Sequence, residues 1–212
     1  MSQTLSDYIT EVRRLLHDAN ANFYTNAELT DNINAARLRV VRDTGCLRDL
    51  QSYTLLANAE TFSYSNLPKA DRTLDILNIN VYWGNTRVPL RYLAWTDFNT
   101  QLRYWQNYRG VPVGFSIYGA NKVYVGPIPD QNYAVDVDTV IMPVALVNLS
   151  DVDEIPEPYT GPVQFYSAYI AKYKEQSYGE AEIFKQEYIK NTQSVLNSVF
   201  TRRMPSPYST PY

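Results

Sequence analysis

Hydrophobic positions at the start of the chain recur at helical spacing. Leu5, Tyr8, Ile9, Val12, Leu15 and Leu16 form one apolar stripe, with Glu11, Arg13 and Arg14 outside it. The polar stretch HDANANFY, residues 17–24, ends this helix. Thr25 and Glu28 then have the spacing of a capping box, in which the hydroxyl accepts from the Glu28 amide while the carboxylate reaches back. Leu29, Ile33, Ala36, Val40 and Val41 carry a second helix, and Gly45 is placed to end it in the left-handed conformation.

After residue 50 the period changes from that of a helix to that of a strand. Leu77, Ile79, Val81 and Trp83 alternate with Asn78, Asn80 and Tyr82, predicting a strand with one buried face, and Gly84-Asn85 reads as a hairpin turn. Val113, Phe115 and Ile117 alternate with Gly114, Ser116 and Tyr118 before Gly119-Ala120-Asn121 turns the chain into Val123 and Val125. Pro127 and Pro129 lack amide donors and fit a corner leaving the ladder, with turn chemistry supplied by Asp130, Gln131 and Asn132. Val135, Val137, Thr139 and Ile141 then share a face opposite Asp136 and Asp138. Trp95, Phe98, Leu102 and Trp105 predict a short helix between the hairpins, with Thr96 as its cap. Neighbour-to-neighbour connections predict a mostly antiparallel sheet.

The acidic, proline-rich SDVDEIPEPYTGP, residues 150–162, reads as a connector. Beyond it, Tyr166, Tyr169, Ile170 and Tyr173 fall on one helical stripe. Gly179 separates that run from a second, carried by Phe184, Tyr188, Val195 and Val199. The tail MPSPYSTPY is too rich in proline for helix. The expected fold class is therefore α+β, a helical bundle from N- and C-terminal helix pairs with an inserted, mostly antiparallel β-domain. The expected parts are a helix pair over 1–49, the β-domain over 50–148, a second helix pair over 149–204 and an extended arm over 205–212. Neither helix pair hides its stripes alone, which predicts that neighbouring copies complete the structure.

Composition narrows the function by exclusion. Apolar residues make up 45% and charged residues 19% of the 212, a balance that supports a core rather than disorder. The net charge of −3 has the wrong sign for a dedicated DNA binder. The 19 tyrosines, each an apolar ring with a polar tip, suit surfaces that are wet alone and buried in an assembly. The single cysteine, Cys46, can form no internal disulfide and reads as buried packing. Asp7 and Glu11 interrupt the apolar run that a signal peptide needs, and no stretch is long enough to span a membrane. The expectation is a soluble protein made in a reducing cytoplasm.

Candidate chemistry is sparse. Ser116 in VGFSIYG lies within a strand and lacks the spacing of a nucleophile elbow, and the one histidine, His17, ends a helix. With one histidine and one cysteine, no nitrogen- or sulfur-rich metal site is expected. Asp136 and Asp138 project from the same strand face; they read as a solvated face, against the alternative of an acid–base pair or a hard-cation site. Asp151, Asp153 and Glu154 lack the offsets of a calcium loop and read as linker. Arg37, Arg39, Arg42 and Arg48, interleaved with Asp43 and Asp49, read as a charged outer helix face or a salt-bridged interface. Trp83, Tyr92, Trp95, Tyr104, Trp105 and Tyr108 read as core or subunit packing, against a sugar-stacking platform. Three tryptophans on one exposed face would indicate the platform. No catalytic, metal or cofactor residue is assigned.

The succession of FYTNAELTDNINAARLRVVRDTG, PVGFSIYGANKVYVGPIPDQNYAVDV and EIPEPYTGPVQFYSAYIAKYKEQ resembles the head-to-tail adaptor, or connector, proteins of tailed bacteriophages over nearly the whole chain. The resemblance implies a helical bundle with a β insertion and a structural protein without enzymatic activity. It implies a homo-oligomeric ring, commonly a dodecamer, at the head–tail junction of the virion. The ring's partners would be the portal protein above and a tail or nozzle protein below, with DNA passing through unbound. In similar adaptors the C-terminal segment docks on the portal, which here would involve Arg202, Arg203, Met204, Pro205, Pro207, Tyr208, Pro211 and Tyr212. The alternative reading is a carbohydrate-binding or other β-type binding module of a virion.

Overall fold

The structure is a computed structural model that describes residues 3–105 and 107–201. The chain divides into two compact units, one made of residues up to Leu47 and from Met142 onward, the other of Arg48–Ile141. In chain order the helices are α1 (Leu5–Leu15), α2 (Asn26–Thr44), α3 (Trp95–Trp105), α4 (Gly161–Lys174) and α5 (Tyr178–Thr201). All but α3 belong to the first, helical unit.

Both N-terminal helices start on reciprocal caps. Thr4 Oγ1 accepts from the Asp7 amide and the Asp7 carboxylate accepts from the Thr4 amide at 2.9 Å. Thr25 and Glu28 form the predicted box at the head of α2, and Gly45 ends that helix at φ 60°, a left-handed conformation that costs glycine no Cβ clash. The predicted stripes are buried except for the half-buried Leu15: Leu5, Tyr8, Ile9 and Val12 on α1 with Leu16 at its C-cap, and Leu29, Ile33, Ala36, Val40 and Val41 on α2. Two arginines depart from expectation. Arg13 and Arg37 turn inward, each towards a buried aspartate.

The C-terminal pair differs more. The buried face of α4 is Val163, Ser167, Ala168 and Ala171, whereas Tyr166, Tyr169 and Ile170 are half-buried and Tyr173 is exposed. Helix α4 packs against α2 and α5, and small side chains let these axes approach while tyrosine hydroxyls stay wet. The break between α4 and α5 comes at Gln176, with φ 64°, and Gly179 lies inside the first turn of α5. The four helices close their core within one chain, since Val163, Ala168, Ala171, Ala181, Tyr188 and Val195 are buried along with the α1 and α2 stripes. The expectation that neighbouring copies supply the missing half is therefore corrected: the two helix pairs supply it to each other.

The second unit holds strands β1 (Arg48–Leu55), β2 (Thr61–Ser63), β3 (Thr73–Trp83), β4 (Thr86–Pro89), β5 (Arg91–Tyr92), β6 (Arg109–Gly110), β7 (Gly114–Tyr118), β8 (Lys122–Gly126), β9 (Ile128–Pro129) and β10 (Tyr133–Ile141). They form two four-stranded sheets, β1-β10-β3-β4 and β2-β8-β7-β5, and a two-stranded ribbon of β6 and β9. Pairing is mostly antiparallel, with β5–β7 and β6–β9 parallel. The neighbour-to-neighbour expectation fails, because β10 returns to lie between β1 and β3 and is buried along most of its length. Phe62, Phe115, Val123 and Val125 from one sheet share a core with Ile79, Val81, Val135 and Val137 from the other.

The Gly84-Asn85 and Gly119–Asn121 turns join β3 to β4 and β7 to β8 as expected. A bulge in β3 alters its pattern: Asp138 faces Asn78 and Thr139 faces Ile76, so Ile76 is buried where the alternation had placed Leu77. At the proline corner, Gly126 still pairs with Gly114, Ile128 and Pro129 pair with β6, and Asn132 Oδ1 accepts from the Ala57 amide at 2.8 Å. The corner is a bend with turn chemistry. Helix α3 begins at Trp95, so Thr96 lies inside it rather than at its cap.

Candidate functional site

The polar residues singled out in the sequence do not assemble into a reactive centre. Ser116 is buried within β7, while the exposed His17 sits just past α1 at φ 56°, in the other unit. Asp136 and Asp138 do share a strand face, but the solvated face expected of them is a set of closed polar contacts. Asp136 is buried, accepts from the Tyr82 hydroxyl at 2.5 Å and the Ser52 hydroxyl at 3.3 Å, and pairs with Arg87 at 3.2 Å. Asp138 pairs with Arg48. Cys46 is buried, and burial pushes its thiol up. Among the described residues no group of three His, Cys, Asp or Glu side chains is placed to hold a metal ion.

The tryptophans form no common platform. Trp83 is 60% exposed at the end of β3, whereas Trp95 and Trp105 are half-buried where α3 packs on β7. Trp95 lies 4.5 Å from Tyr118 and 4.7 Å from Tyr124 between ring centroids. Trp105 lies edge-on to Phe98 at 5.3 Å and covers the backbone of Gly126. A Cβ built on Gly126 would stand 2.2 Å from that indole, so this glycine is required by close approach. Tyr92, Tyr104 and Tyr108 are exposed.

The helical unit contains what the sequence reading missed. Asp153, expected in a linker, is buried at its centre. It accepts from Arg37 at 2.6 and 3.0 Å, from the Tyr8 hydroxyl at 2.6 Å and from the Ile155 amide at 3.0 Å. Arg37 also donates to the Val144 carbonyl at 2.7 Å, and Asn34 exchanges two 2.9 Å bonds with the backbone of Leu146. Burial, reinforced by Asp153, raises the Tyr8 phenol far above its ordinary range. A signal was present: Arg37 lies on the same turn-to-turn row as Ile33 and Val41, inside the apolar stripe. An arginine there requires a buried partner.

This network pins the segment 142–155 against α1 and α2. The Leu5 and Ser6 amides donate to the carbonyls of Asp151 and Leu149, and the Asp151 carboxylate accepts from the Val147 and Asn148 amides at 2.8 Å. The loop so fixed holds Val144, Val147, Leu149 and Val152 out to solvent. A second buried pair, Arg13 and Asp18 at 2.8 Å, shapes the turn between α1 and α2. Asp18 there accepts from the Asn22, Phe23 and Tyr24 amides, and Phe23 projects outward.

On α2, α4 and α5 a groove of about 470 Å³ is lined by Arg39, Tyr166, Tyr169, Tyr188, Ile189 and Leu196. The Asp43 carboxylate fixes one wall, accepting from Tyr188 at 2.6 Å and Arg39 at 2.9 Å. Burial and this bond raise the Tyr188 phenol well above its usual range. The tyrosine rings run from the groove outward, with centroids 5.5 Å apart for Tyr166–Tyr169 within it, then 5.8 Å for Tyr169–Tyr173 and 5.4 Å for Tyr173–Tyr178. Aromatic surface half-covered on the isolated chain suits recognition of protein. The residues expected to meet the portal, Arg202, Arg203, Met204, Pro205, Pro207, Tyr208, Pro211 and Tyr212, lie outside the described residues.

No helix among the described residues is long and apolar enough to cross a membrane. No curated protein sequence matches the chain. The pattern of one family, SU10 adaptor protein, matches residues 3–211. With polar groups committed to structure and aromatic and aliphatic surface left outside, over a match of nearly its whole length, the chain belongs to the SU10 adaptor protein family and is a phage structural adaptor protein.

Proposed function

We propose that the chain is a ring-forming head-to-tail adaptor of the virion, joining the portal protein to the tail or nozzle and surrounding the channel through which DNA leaves. Family membership over residues 3–211 is the observation that carries this reading. The apolar surface of the helical unit supports it, because each copy then has area to bury against others. The net charge of −3 per copy, repeated around a ring, keeps phosphate from being held by counterion release, so DNA slides without specific binding. The adaptor acts without catalysis. Its C-terminal residues 202–212 dock on the portal, with 205–212 as an extended arm whose prolines lower the entropy lost on binding.

Light scattering or native mass measurement of the chain mixed with its purified portal tests this. The expected result is a complex holding many copies, commonly a dodecamer in similar adaptors, and its loss when residues 202–212 are removed. A chain that stays monomeric with portal present would overturn the reading.

A further inference from the structure

Two features of the helical unit are complementary. The loop 144–152 is a rigid aliphatic projection in which Val147 is 75% exposed, although Asn34, Arg37 and Asp151 fix the backbone on both sides of it. The groove on α2, α4 and α5 is a concave aromatic surface whose outer wall carries Ile189, 49% exposed. Their charges are opposed. Outside the buried Arg37–Asp153 pair, residues 142–157 carry Asp151, Glu154 and Glu157 and no lysine or arginine, while the groove is lined by Arg39 and Lys185 against one carboxylate, Asp43.

Their placement on α2 excludes a mutual contact within one chain. Arg37 and Asn34 hold the loop, Arg39 and Asp43 border the groove, and a helix turns about 100° per residue. Arg37 and Arg39 therefore diverge by about 160°, and Asn34 and Asp43 by about 180°, across the buried stripe between them. A projection on one flank and a matching recess on the other is the condition for a heterologous contact. Such a contact leaves both features free on a lone chain and repeats from copy to copy until a ring closes.

We propose that the loop 144–152 of one copy seats in the Tyr166–Tyr188–Ile189 groove of a second copy, so that each chain gives its loop to one neighbour and its groove to the other. This rests on the ring reading above and names its interface. Val147 and Leu149 fill the groove, and the acidic flank of the loop faces Lys185, beside the Arg39–Asp43 pair. The buried Arg37–Asp153 pair is then the device that holds the loop in its seating conformation.

The test uses the full chain with its portal. Val147→Asp and Ile189→Asp replace exposed side chains, so each variant is expected to melt like the unaltered chain yet lose the ring mass. Cysteines at both positions, Val147→Cys with Ile189→Cys, are expected to give a covalent ladder of chains on mild oxidation, while either cysteine alone gives none. Rings of unaltered mass from Val147→Asp or Ile189→Asp overturn the proposed contact, and another occupant of the groove, such as residues 202–212, then replaces it. Crosslinking through a single cysteine also overturns it, by indicating a two-fold contact instead. If the unaltered chain forms no ring with portal, the ring reading fails along with the interface, an outcome separate from the other two.

Discussion

In the β unit, two sheets meet through Phe62, Ile79, Val81, Phe115, Val123, Val135 and Val137, a core without a charge. In the helical unit, the largest fully buried side chain is Arg37, and Asp153 lies against it. An apolar core is held by area and shape, which are non-directional. An arginine–aspartate pair with Tyr8, Asn34 and two backbone groups is directional, and each member is costly to leave unpaired. The contrast follows from what each unit must hold. The sheets hold their strands in register mainly by continuous backbone pairing, but the irregular segment 142–155 has only a few backbone bonds to residues 3–6 and depends on buried side chains for the rest.

The largest test of that contrast is Arg37→Met, which leaves the Asp153 carboxylate buried without its cation. The expected loss is about 3–5 kcal/mol, read as a lowered urea midpoint. The double replacement Arg37→Met with Asp153→Leu is expected to recover only part of it, since the Tyr8 hydroxyl, the Ile155 amide and the Val144 carbonyl still lose partners. Full recovery would mean the pair contributes nothing directional and that the contrast between the units is false.

The β unit has its own point of intolerance, set by shape. Gly126→Ala places a methyl where the Trp105 indole lies, and the ring, packed against Phe98, has little freedom to retreat. A cost of about 1–3 kcal/mol is expected, with a change in tryptophan fluorescence as α3 shifts off β8. The same variant in a Trp105→Leu background is expected to cost less. An equal cost in both backgrounds would place the effect in the backbone and remove shape as the cause.

How far the sequence could be read divides along the same line. Local rules worked where the cause is local: the Thr25–Glu28 box, the Gly45 stop, the Gly84 and Gly119 turns, and the stripes of α1 and α2. They failed where a distant segment decides. Ile76 replaces Leu77 in the core because β10 imposes a bulge, and β10 itself pairs with β1, a strand far away in sequence. The helical stripe of Tyr166, Tyr169, Ile170 and Tyr173 on α4 is not its most buried face: the small residues face inward because α2 and α5 flank that helix closely. Asp153 was legible only through its partner. In isolation it sits in an acidic, proline-rich string, and its burial follows from Arg37, 116 positions earlier. Of the groove, the sequence showed tyrosine abundance but not the meeting of α2, α4 and α5 that gathers them.

The smallest effect appears only in acid, and it asks whether directional polar contacts distinguish the helical unit at its turns as well as at its centre. Asp18 is opposed by burial, yet the Tyr24, Asn22 and Phe23 amides and Arg13 hold its carboxyl below the usual aspartate range. Asp7, Glu28 and Asp151 of the same unit are also lowered, each first by a backbone amide, from Thr4, Thr25 and Val147. A carboxyl depressed in the folded state contributes stability that is fully present above the unfolded value, about 3.9 for aspartate, and is lost as pH falls through the folded one. The chain should therefore weaken as pH drops from about 5 towards 2. Asp18→Asn should lower stability at neutral pH and flatten part of that fall, because asparagine does not titrate and puts an amide donor in place of one of the two accepting oxygens of Asp18. The comparison is urea midpoints of both proteins at neutral and acid pH. Parallel curves, offset but equally steep, would assign the turn between α1 and α2 to shape alone and confine directional pinning to Arg37 and Asp153.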